Sequence, residues 1–192
     1  MIESDIKDLP EKYIQLEQLC EELGFTMPSD RYIGTLLKTL VRSKPGAQVL
    51  ELGTGISLTL AWLIDGLDEN GHLVTIDNDP KLIQIAEQYF GEDPRVDIIC
   101  ADGTEWLHKN ANAKFDLIFA DAWPGKYNEL EEVLAMLNKG AFYVIDDMLP
   151  QPNWPEGHDQ KAIKLIATLE KRNDLALTKM NWSTGVIIAT KL

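Results

Sequence analysis

The chain has 192 residues, 45% of them hydrophobic and 26% charged, with 13 glycines and nine prolines, a composition that suits one globular domain and argues against disorder or a two-domain build. Folding at this length buries roughly 70% of the unfolded surface, enough for a core without disulfides or structural metal. Eighteen basic residues stand against 31 acidic ones, a net charge of −13, and no basic stripe follows a phosphate backbone, so DNA or RNA is not an expected partner.

The first residues, Met1 to Asp8, carry acids where a signal peptide has a basic and then an apolar stretch, and no apolar run approaches about 18 residues. A soluble cytoplasmic protein with no membrane contact is expected. From Ile6 to Leu23 apolar residues recur at mostly helical spacing, interrupted near Pro10 and ended by Gly24. A second helix is predicted after a cap at Ser29 or Asp30, running to Pro45-Gly46. Short apolar runs then alternate with helical stretches, the pattern of buried parallel strands joined by crossover helices. The predicted strands are Gln48–Leu52, His72–Asp77, Val96–Cys100, Phe115–Ala120 and Ala141–Ile145, and the predicted helices between them Leu58–Gly66, Pro80–Phe90, Gly103–Lys109 and Tyr127–Leu137. Right-handed crossovers make this a doubly wound α/β sheet. Leu149 to His158, with three prolines and Trp154, reads as a rigid loop, and Ile163–Lys171 as a helix. Leu175–Trp182 and Val186–Lys191 flank Ser183-Thr184-Gly185 as an antiparallel hairpin. Cys20 and Cys100 have no zinc, redox or secreted-disulfide spacing and are expected to be buried, reduced thiols.

Ligands of open α/β sheets sit beyond the carboxyl ends of the strands. Each of the five predicted strands closes on acids there: Glu51, Asp77 with Asp79, Asp102, Asp121, and Asp146-Asp147. Gly53 and Gly55 permit a tight turn and close backbone approach to a ligand. The dinucleotide fingerprint needs a third glycine where Leu58 stands, and Glu51 would oppose a pyrophosphate. A cationic ligand with a ribose fits better, with Asp77 placed to accept from the ribose hydroxyls.

The runs Val-Leu-Glu-Leu-Gly-Thr-Gly, Thr-Ile-Asp-Asn-Asp-Pro, Ala-Asp-Gly-Thr and Phe-Asp-Leu-Ile-Phe-Ala-Asp, followed by the closing hairpin, resemble the class I S-adenosylmethionine-dependent methyltransferases from about Thr26 to Leu192. Asp121-Ala-Trp123 with Tyr127, and Leu137-Asn-Lys-Gly-Ala-Phe-Tyr-Val-Ile-Asp-Asp, look most like the catechol and caffeoyl-CoA type of small-molecule O-methyltransferase. The resemblance implies a seven-stranded, mostly parallel sheet forming a single domain, residues 1–45 supplying N-terminal helices and 46–192 the cofactor-binding sheet and hairpin. It implies S-adenosyl-L-methionine as cofactor, with Glu51, Gly53, Gly55 and Thr59 around its methionine part. Asp77 and Asn78 would hold the ribose side, Asp102, Gly103 and Thr104 would line the adenine, and Asp121 and Trp123 would complete the cofactor wall.

In the metal-dependent subgroup an Asp after strand four and an Asp-Asn pair after strand five hold a divalent cation that binds two substrate oxygens. Those positions are Asp121, Asp146 and Asp147 here, hard oxygen ligands suited to Mg²⁺ or Ca²⁺, with one more negative charge than the subgroup carries. The subgroup's catalytic lysine falls on Pro124, which leaves Asp121, Lys126 or His158 as candidate catalytic groups. The expected activity is methyl transfer to an oxygen of a small molecule. N-methyl transfer or aminopropyl transfer to a small amine, and a non-catalytic cofactor-binding protein, stand as alternatives, and a homodimer is expected.

Overall fold

The computed structural model describes residues 2–192. After a 3-10 turn at Glu3–Asp5 come α1 (Tyr13–Leu23), α2 (Arg31–Arg42), β1 (Gln48–Leu52), α3 (Leu58–Gly66), β2 (His72–Asp77), α4 (Pro80–Phe90), β3 (Val96–Cys100) and α5 (Gly103–Lys109). They are followed by β4 (Phe115–Ala120), α6 (Leu130–Ala135), β5 (Leu137–Ile145), α7 (His158–Leu169), β6 (Leu175–Met180) and β7 (Val186–Lys191). One seven-stranded sheet has the order β3-β2-β1-β4-β5-β7-β6. β1 to β5 run parallel, and β7 lies antiparallel to both β5 and β6. The chain winds outward in opposite directions from β1 and β4, so a crevice opens beyond the carboxyl ends of those two strands.

Strand pleat divides the apolar residues between two cores. Val49, Leu73, Leu117, Phe119 and Val144 face a layer built from α1, α2, α3 and α4. Leu50, Leu52, Ile76, Ile118, Tyr143 and Ile145 face α5, α6 and α7. Both faces are covered, which is why the central strands are almost wholly apolar rather than alternating. β3 is an edge strand and its residues are only partly covered. Cys100 at its end is therefore exposed, against expectation, whereas Cys20 is buried in α1.

The first two helices set the roof of the crevice. Pro10 holds off α1 until Tyr13, whose buried ring meets Trp62 edge-on at 5.4 Å. Glu17 receives Arg31 at 2.6 Å and ties α1 to α2. Asp30 caps α2 by accepting from the Ile33 amide at 3.0 Å, and its other oxygen accepts from the Ser183 hydroxyl in the hairpin turn. The segment Met27 to Ser29 is thereby held across the top of the sheet.

Several expected boundaries move. The helix predicted over Tyr127–Leu137 is confined to Leu130–Ala135, because Leu137 already pairs with Phe115 as the start of a nine-residue β5. α7 begins at His158, five residues before the expected Ile163, so the proline-rich loop delivers His158 at a helix start. Among the described residues, no helix is long and apolar enough to cross a membrane.

α2 packs on α3 through Gly34, where a Cβ would lie 2.2 Å from the ring of the buried Trp62. Gly34→Ala should destabilise the fold by about 1–3 kcal/mol through overpacking, seen as a lower urea midpoint with an unchanged far-UV spectrum. An unchanged midpoint would mean that the helices are not this close.

Candidate active site

A cleft of about 650 Å³ lies beyond the ends of β1, β2, β4 and β5, roofed by Met27 to Ser29 and by the loop around Trp154. On one side the backbone comes unusually near itself. Gly53 has φ +99, and a Cβ there would sit 3.1 Å from the Asp121 carbonyl oxygen. Its amide donates to the Ile76 carbonyl at 2.9 Å, so the β1 loop lies flat against the ends of β2 and β4 and leaves space for a ligand above. Asp77 holds the loop from below: one carboxylate oxygen accepts from the Gly55 amide and the other from the Asp79 amide, both at 3.0 Å. Asp77, Asn78, Asp102, Gly103 and Trp123 all line this half of the cleft. Asp102 also caps α5 by accepting from the Glu105 amide at 3.0 Å. Gly55 and Thr59 line a narrow recess that shares Gly53, Ser29 and Asp121 with the main cleft.

Two expected cofactor residues face elsewhere. Glu51 is fully buried beneath the glycine loop, where it accepts from Thr59 Oγ1 at 2.6 Å and Thr75 Oγ1 at 2.5 Å. Burial, helped by the charge of Asp77, pushes its carboxyl up to about 7 against those two hydrogen bonds. Thr104 is turned away by the helical step after Gly103, and its hydroxyl donates to Glu129 at 2.9 Å.

The other half of the cleft holds the three candidate catalytic groups together. Asp121, at the end of β4, accepts from the Ser29 hydroxyl at 3.3 Å. The chain then doubles back: the amides of Lys126, Tyr127 and Asn128 all donate to the Trp123 carbonyl, and Gly125 takes φ +81. A Cβ on Gly125 would lie 2.3 Å from Leu52 Cδ1. This turn points Lys126 inward, leaving it 4% exposed, with Nζ donating to the Asp146 carbonyl oxygen at 2.6 Å. A lysine two residues after Pro124 thus lines the cleft. His158, 8% exposed, faces the Tyr127 hydroxyl through Nε2 at 3.0 Å and packs on Trp154 with ring centres 4.4 Å apart. Its Nδ1 is buried without a partner. Burial, then the charges of Lys126 and Lys161, holds the imidazole below its ordinary value, so it is neutral at pH 7. Burial pushes the Tyr127 phenol up to about 12.

Asp121, Asp146 and Asp147 all line the cleft, yet they do not converge as a cation cage. Asp146 Oδ1 accepts from the Thr184 hydroxyl and from the Asp147 amide at 2.8 Å. Asp147 takes φ +53, a backbone conformation that residues other than glycine rarely adopt, and also lines the cleft. Among the described residues, no group of three His, Cys, Asp or Glu side chains is arranged to hold a metal ion. The donor chemistry suits a hard cation, but as these carboxylates stand, with Lys126 in the same cleft, they do not form a site for one. Burial raises the carboxyls of Asp121 and Asp146, and their mutual proximity adds to it for Asp121, while Lys126 opposes both shifts.

Ser29 and Thr184, which orient Asp121 and Asp146, carried no sequence signal, since they lie 92 and 38 residues away from their partners. Tyr127 was visible as part of a motif, but its pairing with His158, 31 residues on, was not.

A profile of the O-methyltransferase family matches residues 9–183. The chain belongs to the O-methyltransferase family. A Mycobacterium tuberculosis protein named Probable O-methyltransferase is 33% identical over 118 residues, 59% of this chain, and that match covers 53% of its own length; the chain thus spans about half of the curated relatives it matches. Among solved structures, an O-methyltransferase from Bacillus cereus in complex with S-adenosylhomocysteine superposes with a TM-score of 0.85 at 20% identity, over 98% of this chain and 94% of that one. The O-methyltransferase TomG from Streptomyces achromogenes, in complex with S-adenosylmethionine, gives 0.80 at 24% identity over 98% and 92%. At these identities the structural likeness establishes the fold, a Rossmann-like methyltransferase sheet.

Because Glu51 binds its proton more tightly folded than unfolded, its contribution to stability falls as pH rises from 4.5 to about 7. At about 1.4 kcal/mol per pH unit the loss is about 3 kcal/mol. Glu51→Gln removes it, so the variant should gain stability relative to the unsubstituted protein between about pH 4.5 and about pH 7.5 in urea titrations. A constant difference across that range would show that folding leaves the Glu51 carboxyl at its ordinary value.

Proposed function

We propose that the protein is an S-adenosylmethionine-dependent O-methyltransferase acting on a small-molecule acceptor. The observation that carries this reading is a single cleft in which a nucleoside-binding wall, Asp77 to Trp123, continues into a polar end holding Asp121, Lys126 and the Tyr127–His158 pair. The family and the cofactor complexes of its structural neighbours support the same cofactor.

The residues present fit that cofactor. The glycine loop leaves an open cradle, and carboxylates at Asp77 and Asp102 can accept from ribose hydroxyls and from an exocyclic amine. Trp123, 47% exposed in the cleft wall and with Lys161 Nζ 3.6 Å from its ring centre, can pack beside the adenosine. When bound, S-adenosylmethionine supplies an electrophilic methyl group on a sulfonium. The chain's own part is to align the acceptor and exclude water, which supplies much of the rate in such a displacement.

The acceptor hydroxyl must also lose its proton. Asp121 is placed for this: its carboxyl is raised by burial and by Asp146, which makes it a stronger base than an exposed aspartate. Lys126 donates to the oxygen as negative charge grows there. His158 holds the Tyr127 hydroxyl at 3.0 Å, which orders the aromatic wall of Trp123, Tyr127 and Trp154 against which the acceptor packs.

Incubation of the protein with S-adenosylmethionine and fractionated cell metabolites should release S-adenosylhomocysteine. Methylthioadenosine released when decarboxylated S-adenosylmethionine is supplied instead would show aminopropyl transfer, and binding with no product from either donor would show a non-catalytic protein. Asp77→Ala should weaken S-adenosylhomocysteine binding by about 1–3 kcal/mol. Asp77 also holds the Gly55 amide, so the alanine variant should melt lower. Asp77→Asn keeps an acceptor for that amide and separates the two effects; unchanged affinity in both variants would remove the ribose role.

A further inference from the structure

Lys126 is the unusual group in the cleft. An ammonium that is 4% exposed is rarely left without several acceptors. Here one of its three protons is placed, on the Asp146 carbonyl oxygen at 2.6 Å. Among the described residues, no carboxylate oxygen lies within 4.0 Å of Nζ to form an ion pair and no second hydrogen bond is made, the remaining neighbour being the Tyr127 ring with its centre 5.3 Å away. The ammonium lines the cleft, with Asp121 and Asp146 near enough for its charge to act on both. Its position is fixed rather than fluctuating. Gly125 can turn only because it lacks a Cβ, and its carbonyl accepts from the buried Tyr143 hydroxyl, which pins the turn to β5.

We propose that Lys126 is the resident counter-cation of this site, occupying in charge and place the role that a divalent ion would play among Asp121, Asp146 and Asp147. Two observations of different kinds agree on this. The carboxylates do not converge on an ion, and Lys126, a buried cation lining the same cleft, makes among the described residues one hydrogen bond, to a carbonyl, and no ion pair. A divalent ion brought among these carboxylates would be repelled by the fixed ammonium. The acceptor is then held by one oxygen on Nζ instead of by two oxygens on a metal, so a single ionisable hydroxyl suffices and a vicinal pair is not required. The part concerning the acceptor rests on the methyltransferase reading; the part concerning charge does not.

Mn²⁺ is the probe, its free concentration followed by electron paramagnetic resonance, with and without S-adenosylhomocysteine. The full chain should show no site tighter than about millimolar, whereas Lys126→Met, which keeps the length of the stem and removes the charge, should bind one Mn²⁺ at least about tenfold more tightly. Adding Asp146→Ala to Lys126→Met should abolish the gain. Stoichiometric binding of Mn²⁺ at micromolar concentration with Lys126 present would overturn the proposal, and so would a Lys126→Met protein that binds no better than the unsubstituted one. Lys126→Gln serves as a second uncharged variant, with far-UV spectra as the check of folding, and the titration of the unsubstituted protein decides the matter if both variants misfold. Failure of S-adenosylhomocysteine to bind the unsubstituted protein would count against the methyltransferase reading while leaving the Mn²⁺ comparison intact.

Discussion

The hydrogen bond from Lys126 to the Asp146 carbonyl oxygen joins the two strand ends on which the polar half of the cleft is built. β4 and β5 run parallel, so their carboxyl ends deliver Asp121 and Asp146 to the same place, and two buried carboxylates raise the energy of each other. A cation must stand near them, and the Trp123 to Asn128 turn supplies it. The turn depends in its own way on what surrounds it: Gly125 touches Leu52 and Val133, its carbonyl accepts from Tyr143, and Pro124 lies against Gly103. The polar end of the cleft is thus an extension of the α6-side core rather than a loop laid on top of it.

The same arrangement explains how an acidic protein uses its charge. Most of the net −13 is dispersed over the surface, where ion pairs contribute little. At the strand ends the charge is concentrated, and it is handled in three ways. Asp77 and Asp102 spend their oxygens on backbone amides and remain in the cleft wall. Glu51 is sealed under the glycine loop with two threonine hydroxyls and favours its neutral form. Asp121 and Asp146 remain near the ligand space with Lys126. The first group leaves carboxylate oxygens in the cleft wall, and the last leaves buried carboxyls in the same cleft as an ammonium.

Much of the fold was legible because buried parallel strands leave a strong mark: β1, β2, β3 and β4 lie where short apolar runs closing on acids place them. The sites of misreading have definite causes. The apolar spacing of Tyr127 to Leu137 suits a helix, but Tyr127 belongs to the inward turn and Leu137 to β5, a choice made by pairing with Phe115 rather than by local propensity. Cys100 looked buried because its strand is apolar, and only the strand order reveals an edge. The carboxylates of the site could be read from the rule that ligands sit at strand ends, yet the direction in which Glu51 and Thr104 point follows from pleat and helical step. Lys126 was readable as a candidate and not as a buried cation, because its inward direction is set by Gly125 fitting against Leu52, a contact across 73 residues of chain.

The most direct test of the account is a crystal structure of the protein grown with S-adenosylhomocysteine. The ribose is expected on the Asp77 carboxylate, the adenine beside Asp102 and Gly103, and the thioether sulfur directed toward the space between Asp121 and Lys126. The nucleoside bound outside this cleft, or bound within it with its sulfur turned away from Asp121 and Lys126, would contradict it.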